Sequence, residues 1–202
     1  MPSQRRYHVD LTFTEDLLGT IAKDPEVYAS YIASKAPEGT ATDELESVPS
    51  VEERGWTGFH AFPDGRPFIF DYIPKGYLKD CVGMLNRAAD NKEERVGAHK
   101  KLIDGLIFVF PRRIPLILPA GGVMGKNERP LRAQTAQGER IALARSDTCP
   151  AGTTMAFDML VLGKEPDEKT LNAWLWYGQL RGLGAWRNAS WGRFTHVMTR
   201  ID

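Results

Sequence analysis

The chain has little cysteine, no long apolar run and no surplus of charge, and each shortage closes off a class of protein. Its 202 residues include only Cys81 and Cys149, far apart in sequence and without a second cysteine or a histidine at metal-ligand spacing. Two reduced thiols in a cytoplasmic protein are the expectation, which excludes a disulfide scaffold. A structural zinc site takes about four soft ligands, whereas His8, His60, His99 and His196 lie singly along the chain. No metal and no cofactor is expected. No segment approaches the roughly 18 uninterrupted apolar residues of a membrane span, and the first six residues carry no apolar signal region. The expectation is therefore no membrane partner and no export.

Familiar catalytic patterns are missing too. Gly121-Gly122-Val123-Met124-Gly125-Lys126-Asn127 has the glycines of a phosphate loop, but it lacks the Gly-Lys-Ser/Thr ending and the apolar helix that follows one. There is no Gly-x-Ser-x-Gly elbow and no paired-histidine metal helix.

What the chain does have is an uneven placement of balanced charge. Through His60 there are 5 Lys+Arg against 11 Asp+Glu, a net of −6, and from Ala61 onward 21 against 15, a net of +6. Arg112, Arg113, Lys126, Arg129, Arg132, Arg140 and Arg145 face only Glu128 and Glu139 over one central stretch. Leu180 to Ile201 holds four arginines and no acid. Basic stripes of this kind are the electrostatic footprint of a nucleic-acid binder.

The densest feature is Gly182 to Phe194, where Gly182, Gly184 and Gly192 alternate with Arg187, Arg193, Trp186 and Trp191. Glycines let a ligand approach the main chain, arginines donate to phosphates and indoles offer stacking faces. A glycine-rich turn with packed tryptophans is the competing reading of the same residues.

The order of elements follows from periodicity. Tyr7 to Phe13 alternates at period two and reads as a strand, and Leu17 to Thr20 as a turn. Asp24-Pro25 opens a helix with an apolar face of Val27, Tyr28, Tyr31 and Ile32. Lys35 to Glu53 is an acidic insertion poor in large apolar residues. Trp56 to Phe62 and Pro67 to Ile73 form a hairpin around Pro63-Asp64-Gly65. Tyr77, Leu78, Cys81, Val82, Leu85 and Ala88 stripe a helix over Gly76 to Ala89. Leu106 to Phe110 and Ile114 to Leu118 read as strands, Pro119 to Pro130 as a flexible loop, and Arg140 to Ala144 with Thr153 to Leu162 as a strand pair. A helix opened by Asp167-Glu168 and a strand over Arg193 to Arg200 close the chain. The fold class is α+β in a single domain.

Several of these segments, in order, resemble the RAMP superfamily of CRISPR-associated proteins, especially the single-domain backbone subunits that coat guide RNA. Thr12 to Thr20 is similar to the family's first strand and its Leu-Leu-Gly-like turn. Ile73-Pro74-Lys75-Gly76-Tyr77-Leu78-Lys79-Asp80 is similar to an Ile-Pro-Gly-Ser-Ser-Leu-Lys-Gly helix start. Cys149-Pro150-Ala151-Gly152-Thr153 matches Val-Pro-Ala-Gly-Thr, and Gly182 to Phe194 resembles the final glycine-rich loop. The resemblance implies a ferredoxin-like, RRM-related antiparallel sheet with helices on one face. It also implies binding of single-stranded RNA or DNA, RNA first, with self-association along the strand or with other ribonucleoprotein subunits. Lys75 and Tyr77 stand where the family has small residues, and Trp186 and Asn188 enrich the terminal loop. Together with the acidic insertion, these departures suggest a stand-alone relative from a phage or mobile element.

The expected nucleic-acid residues are Lys75, Tyr77 and Lys79 at the helix start, Arg129 and Arg132 in the central basic stretch, and Trp186, Arg187, Asn188, Trp191 and Arg193 in the loop. Some RAMP relatives cleave RNA without metal, and on that alternative His8, Asp16 and His60 are the catalytic candidates, since general acid–base work needs such groups within reach of one phosphate. A structural or protein-interaction role centred on the acidic segment is the remaining alternative.

Overall fold

The computed structural model describes residues 2–24, 56–135 and 138–202, with side chains omitted over 131–142. The amino-terminal alternation becomes β1 (Gln4–Phe13). Tyr7, Val9, Leu11 and Phe13 are buried while Arg6, Asp10 and Thr12 face out. β1 sits in the middle of a four-stranded antiparallel sheet. On one side it pairs with β11 (Thr154–Leu162), from Gln4 opposite Leu162 to Thr12 opposite Thr154. On the other it pairs with β12 (Phe194–Arg200), and β7 (Ile107–Phe110) completes the sheet beside β11. The spatial order is β12-β1-β11-β7. Together with helices between the first and second strands and between the third and fourth, this is a ferredoxin-like α+β arrangement.

One face of that sheet carries the core. Met155, Phe157, Met159 and Val161 of β11 point the same way as the buried residues of β1. They meet Tyr77, Leu78, Cys81 and Val82 of α1 (Tyr72–Ala88), Ile103 of α2 (His99–Leu106), and Leu171, Trp174 and Leu175 of α3 (Glu168–Trp176). Each such aliphatic or aromatic side chain contributes about 1.5–3 kcal/mol on full burial. Cys81 and Cys149 are both free and buried, and burial pushes each thiol up to about 12. The opposite face is open, with Phe108, Phe110 and Val197 exposed. Among the described residues no helix is long and apolar enough to cross a membrane.

α1 begins at Tyr72, four residues before the stripe suggests. Pro74 falls in its first turn, where a missing N–H has no intrahelical partner to lose. At α3 the expected acidic start holds: Asp167 Oδ1 accepts from the Thr170 amide at 2.8 Å. Ahead of α1, β5 (His60–Ala61) and β6 (Pro67–Phe70) pair as the expected hairpin, and β8 (Arg113–Pro115) extends it.

A second sheet is built on β10 (Gly138–Cys149), which pairs along its length with β9 (Gly125–Thr135). Here two expectations are corrected. The loop over Pro119 to Pro130 ends at Gly125, because Lys126 lies opposite Asp147 and Glu128 opposite Arg145, so opposite charges pair across the strands. Pro130 is tolerated because β9 is an edge strand. β10 and β11 do not pair with each other; β11 has both of its edges filled by β1 and β7. The expected turn at Leu17 to Thr20 also holds a short strand, β2 (Leu17–Leu18), buried against Cys149 and Thr148 of β10. β3 (Ile21–Ala22) and β4 (Trp56–Gly58) complete this sheet. The expected helix after Asp24 and the acidic insertion lie outside the described residues.

The last helical turn, α4 (Gly178–Arg181), seats the glycine-rich loop on the core. A Cβ on Gly178 would enter the ring of Phe194. Gly178→Ala is therefore expected to lose about 1–3 kcal/mol by overpacking, read as a lower urea midpoint at unchanged slope.

Candidate nucleic-acid interface

The Gly182 to Phe194 loop is held at both ends and in its middle. Leu183 N–H donates to the Gly192 carbonyl at 2.8 Å, and Gly192 N–H donates to the Asp16 carbonyl at 2.9 Å. Gly182 has φ +75°, and a Cβ there would strike the Trp191 carbonyl, so no other residue fits. Gly184 rests against Leu17 and the Leu18 carbonyl with φ +83°, which ties the loop to β2. Trp186 then takes a left-handed conformation, φ +58°, ahead of a 3₁₀ turn over Arg187–Ala189.

Asp80 of α1 grips this loop. Its Oδ2 accepts from Arg181 Nε at 3.0 Å and from Arg187 Nη1 at 2.9 Å, and Arg181 also donates to Asn188 Oδ1. All three charged side chains are mostly buried, where charge-assisted hydrogen bonds are strong. The hydrogen bond that Arg181 donates to Asp80 raises the Arg181 pKa. Across the loop, the Arg129 guanidinium of β9 lies over the indole of Trp186. Arg129 Nε is buried without a hydrogen-bond partner among the described residues, and burial lowers its pKa.

Between these parts runs a groove of about 480 Å³, walled by Ile21 and Ala22 of β3, Tyr72 and Ile73 of α1, and Leu183 and Arg187 of the loop. The helix start and the glycine loop thus share one concave surface. Not every expected residue reaches it. Lys75 donates to the Asp104 carbonyl at 3.2 Å and Lys79 to Asp104 Oδ1 at 2.9 Å, so both lie toward α2. Burial lowers the Lys75 pKa. Tyr77 does line the groove but is only 3% exposed; its hydroxyl donates to the Trp174 carbonyl at 2.7 Å, burial raises its pKa, and most of its ring packs in the core. Asn188 serves Arg181, and Arg193 donates to the Leu180 carbonyl at 3.2 Å. Trp191 is half-buried. Arg132 pairs with Ile141 through the backbone, and its side chain is outside the described residues.

The catalytic candidates sit in three different places. His60 is 1% exposed, stacked on Phe68 with ring centroids 5.4 Å apart and edge-on to Phe70 at 4.7 Å. That is a packed core histidine. Asp16 accepts from the Ala151 amide at 2.9 Å, which ties the segment after β1 to the turn after β10. His8 lies on the open sheet face with Nδ1 2.7 Å from Asp158 and Nε2 3.5 Å from Asp10. Tyr7, its neighbour in sequence, points to the opposite face, as successive strand residues must.

Sequence reasoning missed Tyr72, Asp80 and Arg181. The available signal for Asp80 was a lone acid on a core-facing helix in a chain whose last basic segment has no acid of its own. A second basic cluster was also missed: Lys23, Lys126 and Arg145 all lie within 5.6 Å of the Trp56 ring centroid. Lys23 pairs with Asp147 at 2.6 Å and Arg145 with Glu128 at 2.9 Å, so this cluster is partly neutralised.

No family model and no curated protein sequence matches the chain. Its fold is similar to that of a chain in the cryo-EM structure of the type III-B Cmr-beta bound to cognate target RNA. The TM-score is 0.58 at 10% identity, over 98% of this chain. The present chain spans 61% of the length of that chain. At this identity the likeness is one of fold.

Two outcomes follow from the contacts. Asp80→Ala removes the carboxylate that Arg181 and Arg187 share and is expected to lower stability by about 1.5–3 kcal/mol, with faster amide hydrogen exchange confined to Gly182 to Phe194. His8 has its pKa raised above 6.5, chiefly by the hydrogen bond to Asp158. The folded state therefore holds that proton more tightly than the unfolded chain. Its contribution is complete below about pH 6.5 and disappears as pH rises through the folded value. Asp158→Asn should flatten the wild-type loss of denaturation midpoint over that window; an unchanged profile would rule out this ion pair as its source.

Proposed function

We propose that this protein binds single-stranded RNA along the groove between α1 and the glycine-rich loop, as a subunit or relative of a CRISPR-type ribonucleoprotein. The observation that carries the reading is the Arg129–Trp186 pair beside Arg187. A guanidinium with an unpaired, partly desolvated Nε lies across an indole in a loop whose course requires glycine at 182, 184 and 192. Arginine donors neutralise phosphates, and aromatic faces take bases without regard to sequence. The fold's likeness to a chain in an RNA-bound complex supports the choice of RNA. Further copies of this chain or other ribonucleoprotein subunits are the partners that fit this role. Cleavage gains no support, because His8, Asp16 and His60 do not converge on one point.

Anisotropy of a labelled single-stranded RNA, with strand integrity followed on gels, tests the reading. Affinity should fall steeply between about 50 and about 200 mM salt, with an intact strand. Arg129→Ala and Arg187→Ala should each reduce the logarithmic salt slope by about 0.7, the share of one phosphate contact on a single strand. Binding that ignores both substitutions would remove the groove from the account.

A further inference from the structure

We propose that the groove receives one unstacked nucleoside of the bound strand, with Tyr72 as its stacking platform and Arg187 beside its phosphate. The proposal rests on the strand-binding reading and specifies what the groove takes. Its volume, about 480 Å³, is in the range of small-molecule sites, roughly 300–1,000 Å³. Ile21, Ala22, Ile73 and Leu183 make its walls apolar, and among the described residues Arg187 is the only charged side chain lining it and no carboxylate does. A flat aromatic body attached to an anion complements such a site; a peptide cation or a metal ion does not.

Tyr72 is shaped for the stacking role. Its ring lies nearly parallel to that of Phe70, with 16° between planes and centroids 5.6 Å apart, yet it remains 40% exposed. Backing by a buried ring fixes the orientation of the exposed one, so little side-chain entropy is lost when a base lands on it. Arg187 is likewise set in place by Asp80 before any ligand arrives. Gly76 supplies the opening. It lines the groove on α1 one turn after Tyr72, and a Cβ built there meets none of the described residues within 4 Å. A larger side chain at 76 therefore fills the groove without touching the core, and in a helix interior glycine is itself less favourable than such a residue.

The experiment compares an ordinary single-stranded RNA with one of equal length carrying abasic riboses, on wild type, Tyr72→Ala, Tyr72→Phe and Gly76→Leu. Folding of each variant is checked by its denaturation midpoint. Wild type should prefer the ordinary strand by about tenfold more than Tyr72→Ala or Gly76→Leu does, the worth of one stacked base, and Tyr72→Phe should keep the preference. The same preference in all four proteins would overturn the nucleoside site while leaving phosphate binding along the loop intact. Failure of every strand to bind would sink the RNA reading instead. In that case adenosine 5′-monophosphate against ribose 5-phosphate decides the groove. Amide shifts at Tyr72, Gly76 and Gly184 caused by the nucleotide alone support it, and their absence overturns it.

Discussion

The carboxylate of Asp80 joins the two parts from which the candidate interface is made. α1 belongs to the core and is fixed by Tyr77, Leu78, Cys81 and Val82. The glycine-rich loop enters the core at Leu183 and Phe194, near its two ends, and glycine carries a larger conformational entropy cost on folding than other residues. By holding Arg181 and Arg187 at once, Asp80 ties that loop to the helix. Leu183 and Gly184 are then brought close enough to β3 for the groove to exist. Removing the acid leaves two partly buried cations facing each other, so the loop's position and the groove's shape are lost together.

This arrangement separates two tasks that nucleic-acid binding requires. Arg129 and Arg187 present guanidinium groups at the rim, while Tyr72 and Trp186 present aromatic faces. The lysines at the start of α1 are engaged with Asp104 of α2 instead. The open sheet face is distinct again. Phe108, Phe110 and Val197 share it with the His8, Asp10 and Asp158 cluster, whose carboxylates would repel a phosphate backbone.

Much of the fold was legible because β1 alternates strictly and because Asp167 caps a helix with a clear apolar stripe. The β9–β10 hairpin was hidden by Pro130 and the glycines before it. Its pairing depends on cross-strand charges that become neighbours only once the register is set. Tyr77 was legible in two incompatible ways. Helical spacing put it in the core stripe, motif position put it at the ligand, and burial against Trp174 and Phe194 decided for the core. Lys75 and Lys79 shared a face as their spacing requires, but which face depended on Asp104, a residue on another helix. The loop's composition pointed to the right segment, whereas Asp80, the residue that shapes it, carries no local pattern.

The most direct measurement is photocrosslinking of a single-stranded RNA carrying 4-thiouridine, with the attached residues mapped by mass spectrometry. The account predicts adducts at Trp186 and Tyr72. Adducts confined to Phe108 and Phe110 on the open sheet face would contradict it and move the interface to the other side of the molecule.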